Sequence, residues 1–130
     1  MDLKIPIKTN IQGVERMNRN RRLKLEIYIQ KEILEKNGYD FDKSVSIICN
    51  GLKEAGLEKE LVEEGNIVYV GTGSDKDLAY IGLVTTRLIE QQWFKDCCTV
   101  LDLLIEDRKT PGEFLLDGSI IESAKARGLW

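Results

Sequence analysis

Leu23-Lys24-Leu25-Glu26-Ile27-Tyr28-Ile29-Gln30 is the stretch on which the fold turns. Leu23, Leu25, Ile27 and Ile29 alternate with Lys24, Glu26, Tyr28 and Gln30, the period of a half-buried strand. The same residues are mostly good helix formers. Downstream, Asn37-Gly38 is a sound helix stop, because glycine takes the left-handed conformation that follows a last turn. On a helix, Leu23, Ile27 and Leu34 would share one face and Leu25, Ile29 and Ile33 the opposite one, so neighbours would have to flank it on both sides. Propensity and the stop signal outweigh the alternation. A helix is therefore expected within 14–37.

Toward the C-terminus, Tyr39-Asp40-Phe41-Asp42 reads as a loop ending in an N-cap, where an Asp side chain accepts a bond from a free first-turn N–H. Val45, Ile48, Leu52 and Ala55 recur at helical spacing and predict a helix over 43–55. A short acidic helix follows at 57–62, closed by Gly65. Asn66-Ile67-Val68-Tyr69-Val70 is a strand, short, β-branched and bounded by glycine. Beyond the loop Gly71-Thr72-Gly73-Ser74, residues 75–109 contain one glycine and no proline. There Phe94, Cys97, Cys98, Leu101, Leu104 and Ile105 keep a helical rhythm. One helix of that length would exceed about 45 Å, so a break is expected near Gln91 to Asp96. Thr110-Pro111-Gly112 is a stop. Ser119 with Glu122 forms a capping box for a last helix over 119–127, docking by Ile120 and Ile121.

Upstream, Leu3, Ile5 and Ile7 alternate, but Pro6 restricts residues 1–9 to an extended arm or an edge strand. The expected fold is α+β and predominantly helical. Residues 1–130 form a single compact domain with one to three short strands, about 66–70 and 2–8.

The 130 residues carry 19 basic and 22 acidic side chains, a formal charge of -3. Residues 1–26 hold +4 and the remainder -7, a field asymmetry that bears on partner choice. The longest nearly apolar run, Leu78 to Val84, is too short to cross a bilayer, and residues 1–6 lack a signal peptide's apolar core. Three cysteines, Cys49, Cys97 and Cys98, are an odd number without metal-type spacing, which fits reduced thiols in a cytosol. Cys97 and Cys98 are expected as small core hydrophobes. There is no histidine, which removes the commonest general base, the Ser-His and Cys-His pairs and imidazole metal sites.

Gly71-Thr72-Gly73-Ser74-Asp75-Lys76 is the first half of a phosphate-cradling pattern. Lys76 stands where the third glycine belongs, and Asp75 and Asp77 would repel an anion. Asp40, Asp42 and Ser44 open like a calcium loop, but Val45 and Gly51 occupy the positions that require Gly and Glu. Asp75 and Asp77 as magnesium ligands are too common a pair to signify. Arg16 to Lys24 is a basic run with no interleaved aromatic in an acidic chain, so nucleic acid is not an expected partner.

Glu54, Glu58, Glu60, Glu63 and Glu64 form an acidic patch suited to meeting a basic protein surface. Trp93 and Trp130, with Tyr39 and Phe41, are candidate aromatic anchors. The expected function, reached by elimination, is a cytoplasmic, non-catalytic module without metal or cofactor. It would bind another protein in the manner of an immunity protein or inhibitor that covers a basic toxin or nuclease with carboxylates. Contact residues would be Glu58, Glu60, Glu63, Glu64, Trp93 and Trp130. The alternative is an anion- or nucleotide-binding module, or an enzyme, using Gly71, Gly73, Ser74 and Lys76.

Overall fold

Leu23–Ile29 is not a helix but β1, the central strand of a five-stranded antiparallel sheet in the order β2-β3-β1-β4-β5. A computed structural model describes residues 21–130. The expected arm or strand at 1–9 and most of the run Arg16 to Lys24 lie outside the described residues. After β1 come α1 (Lys31–Lys36), α2 (Phe41–Glu54), the hairpin β2 (Glu58–Glu63) and β3 (Asn66–Val70), then α3 (Asp77–Ile89) and α4 (Gln92–Cys97). The chain ends with β4 (Cys98–Glu106), β5 (Phe114–Ser119) and α5 (Ile120–Ala126). The expectation of a predominantly helical fold with one to three strands is thereby corrected: among the described residues five strands stand beside five helices.

The alternation prevails for a packing reason. A strand turns Leu25, Ile27 and Ile29 to one face, where all three are buried. A helix would have set Ile27 opposite the other two. Helix propensities differ by only a few tenths of a kcal/mol per residue. Each buried Leu or Ile contributes about 1.5–3 kcal/mol, so the side-chain arrangement decides. In register, Leu25 faces Tyr69 and Leu103 on the flanking strands, and Ile27 faces Ile67 and Leu101. Each helix of the described residues adds side chains to this layer, among them Leu34, Ile48, Ile81, Phe94 and Ala124.

Two further segments expected as helix are strands. Residues 98–106 carry apolar side chains on both faces of β4, with Leu101, Leu103 and Ile105 on one and Val100 and Leu104 on the other. Such a double-sided run satisfies a helical and a strand period alike. The 57–62 segment is strand β2, held by the tight turn Glu64-Gly65, where both residues have positive φ (51° and 90°). Two consecutive positive φ values match the right-handed twist of a hairpin.

Where capping chemistry and period agree, the elements form as expected. Asp40 caps α2 by accepting a bond from the Lys43 N–H (2.9 Å), two residues before the anticipated cap. Ser119 accepts from the Glu122 N–H (3.2 Å) at the start of α5, and Ile121 is buried beneath that helix. β3 spans 66–70, and α3 ends at Ile89, just ahead of the predicted break.

Candidate functional site

β2 is an outer strand of the sheet, hydrogen-bonded among the described residues to β3 alone. All six of its side chains are exposed. Glu58 and Glu63 stand opposite Val70 and Asn66, and Glu60 falls at a register shift between Lys59 and Leu61. Glu64 is exposed at the turn. Glu60 is partly engaged: its carboxylate accepts from Lys24 Nζ at 2.8 Å. Glu58, Glu63 and Glu64 make no ion pair with any described residue. Charge and a bulge on an edge strand deter indiscriminate sheet pairing, and the same features leave a row of carboxylates facing solvent. Glu54 lies apart from this row, at the end of α2.

Lys24 and Arg22 extend the electrostatics across the outer face of the sheet. Lys24 Nζ stands 4.2 Å from the Phe114 ring centre and the Arg22 guanidinium 5.4 Å from it. Both are cations over an aromatic face, an attraction of about 0.5–2 kcal/mol. The Glu106 carboxylate gathers four donors: Arg22 Nη2 (3.0 Å), Nε (3.3 Å) and backbone N–H (3.1 Å), and the Gly112 N–H (2.9 Å). It thus ties the start of β1 and the β4–β5 turn to the end of β4. Its bonds with the Arg22 side chain hold the carboxyl down at about 2 against the opposing effect of burial, and the two backbone donors add to this. Because the folded value lies below the ordinary one, the stabilisation is complete above about pH 4.5 and is lost as pH falls toward 2. Glu106→Gln should therefore lower stability at neutral pH and flatten its decline between pH 4.5 and 2. Denaturant titrations at several pH values measure both effects, and a parallel decline in the two proteins would contradict the assignment.

The glycine loop after β3 closes on itself. Asp77 is buried, and its Oδ2 accepts from the N–H groups of Thr72 (3.0 Å) and Gly73 (3.2 Å). These are the donors a phosphate would need, and a carboxylate of the chain already engages them. Ser74 Oγ accepts from the Lys76 N–H at 3.1 Å, and Lys76 is exposed. Gly71 permits the closure, because a Cβ there would collide with Asp77 Oδ2 and approach the Leu23 carbonyl oxygen to 3.4 Å. Gly71 N–H donates to that same oxygen at 2.7 Å.

Trp93 and Trp130 both pack against Phe94, with ring centres 5.9 and 6.2 Å away in edge-on geometry. Both are half-buried against the core. Tyr39 adds a ring contact to Trp93 at 6.4 Å. Trp93 also lines one end of a cleft of about 560 Å³ between α2 and α3. Sequence reasoning did not single out this cleft. Its signal was an apolar residue off each helical stripe: Ile47 beside Val45–Ile48–Leu52, and Leu83 beside Ile81–Val84–Leu88.

The three cysteines are free. Burial pushes the Cys97 thiol up to about 11 and Cys98 up to about 12, so both stay protonated and poorly nucleophilic at neutral pH. Burial, then a hydrogen bond with Cys49, pushes Tyr69 up to about 12. Among the described residues no group of three or more acidic or cysteine side chains is placed to hold a metal ion. None of their helices is long and apolar enough to cross a membrane. No protein-family model matches the chain, and neither does any curated protein.

Proposed function

We propose that the protein is a binding module of the inhibitor or immunity type, which covers a basic protein surface with the acidic edge of its sheet. The observation that carries this reading is the row on β2 and its turn, where Glu58, Glu63 and Glu64 face solvent with no ion-pair partner among the described residues. Unpaired carboxylates on a rigid strand need no rearrangement to meet lysines or arginines, and such a field speeds encounter and fixes orientation. Glu60, already turned toward Lys24, serves to hold the row in place. The free thiols suit a reducing compartment, and we place the module in the cytoplasm.

Affinity capture from the native cell tests the reading. The native chain should retain a basic protein, and a chain carrying Glu58→Lys, Glu63→Lys and Glu64→Lys should not, while a Lys109→Glu variant retains it. Equal retention by the native and the triple-lysine chain would remove the edge from the account.

A further inference from the structure

We propose that the cleft between α2 and α3 is the contact through which two copies of this chain pair about a two-fold axis. Its floor is apolar, built from Ile48, Gly51, Ala55, Val84 and Leu88. Large apolar side chains also stand on its rim, with Ile47 57% exposed, Leu83 48% and Tyr80 40%. A concave apolar surface with protruding apolar neighbours marks a place where another body excludes water.

Charge identifies that body. Among the described residues, the charged side chains that line the cleft are one carboxylate, Glu54, and one guanidinium, Arg87. Both are exposed, and neither forms an ion pair or side-chain hydrogen bond with a described residue. A basic occupant would be repelled by Arg87 and an acidic one by Glu54. A second copy satisfies both. In a two-fold contact, residue i of one chain meets residue j of the other and j meets i, so one acid and one base become two intermolecular pairs. The seam then carries no net charge, and Ile47 and Leu83 of each copy enter the cleft of its mate. The β2 edge is not part of the cleft lining, and the two surfaces are tested by different variants, so either reading can fail alone.

Sedimentation velocity on the full chain at micromolar concentration tests the pairing. The native chain should sediment at twice its 14.8 kDa mass. E54R and R87E, both at exposed positions, should keep the native circular dichroism yet dissociate at least about tenfold more readily, because each sets like charges against like. An equimolar mixture of the two variants should recover a dimer holding one chain of each, since one then offers two cations to the other's two carboxylates. A native chain that stays monomeric to hundreds of micromolar would overturn the proposal. So would a dimer that neither variant weakens, or variants that weaken it but do not pair with each other.

Discussion

Phe94→Ala should lower the free energy of unfolding by about 3–5 kcal/mol, the largest loss expected from any single truncation among the described residues. Phe94 is wholly buried and lies in the short helix α4, which joins α3 to strand β4. Its ring contacts both Trp93 and Trp130, so truncation leaves a cavity and also removes a ring contact from each indole. Domains of this size are stable by about 5–15 kcal/mol, which makes the loss a large fraction of the total. Urea titration followed by tryptophan fluorescence should show a lower midpoint with little change in slope. Near-ultraviolet circular dichroism should lose the signal of the packed indoles. Phe94→Leu, which keeps most of the volume, should cost far less; equal losses for Leu and Ala would mean that the ring's bulk is not what the site uses.

Gly65→Ala should be nearly as damaging, for a backbone reason. Gly65 has a φ of 90° in the turn between β2 and β3, and an added Cβ would collide with the Ile29 carbonyl oxygen. The left-handed conformation costs a non-glycine residue about 1–2 kcal/mol. A collision with backbone adds about 1–3 kcal/mol, because a strand end cannot swing aside as a flexible side chain can. The Gly65 carbonyl also accepts from the Ile29 N–H at 3.0 Å, so moving the turn breaks the bond that anchors the hairpin to the central strand. Hydrogen exchange should report fast-exchanging amides in β2 and β3, together with a lower melting temperature. An unchanged hairpin would mean that the turn tolerates a side chain and that its geometry is not what sets the position of β2.

These two residues bear on how much of the molecule was legible. By sequence the turn residue Gly65 looks like the stop of a short helix, because Glu58-Lys59-Glu60-Leu61-Val62 has helix-forming composition and nothing local reveals that β3 will hydrogen-bond to it. Phe94 falls within the expected break at Gln91 to Asp96 and on the apolar side of the helical rhythm predicted for 75–109, but the chain beyond it is strand β4 and not a helix. Apolar side chains on both faces of β4 erased the period of two that would have marked a strand. For β1 the period was present and was outweighed by propensity, although it is the buried face of Leu25, Ile27 and Ile29 that organises the sheet. α2, β3 and α5 were readable because cap, period and stop agree within each segment.

The candidate site divides in the same way. The carboxylates of 58–64 are visible as charge, whereas their alignment along a strand edge depends on the hairpin that β2 forms with β3. Asp77 was recognised as repelling a phosphate; that its own oxygen takes the loop's N–H groups follows only from the close approach at Gly71. The Arg22–Glu106 lock joins residues 84 positions apart, and no local pattern announces it.

The central claim is that binding proceeds through the charged edge of β2. Stopped-flow association of the captured partner with the native chain, and with a Glu58→Gln, Glu63→Gln, Glu64→Gln variant, over a range of salt concentrations tests it most directly. The native association rate should fall steeply as salt rises, and the variant should associate several-fold more slowly at low salt with a much shallower dependence. Identical rates and slopes for the two chains would contradict the claim.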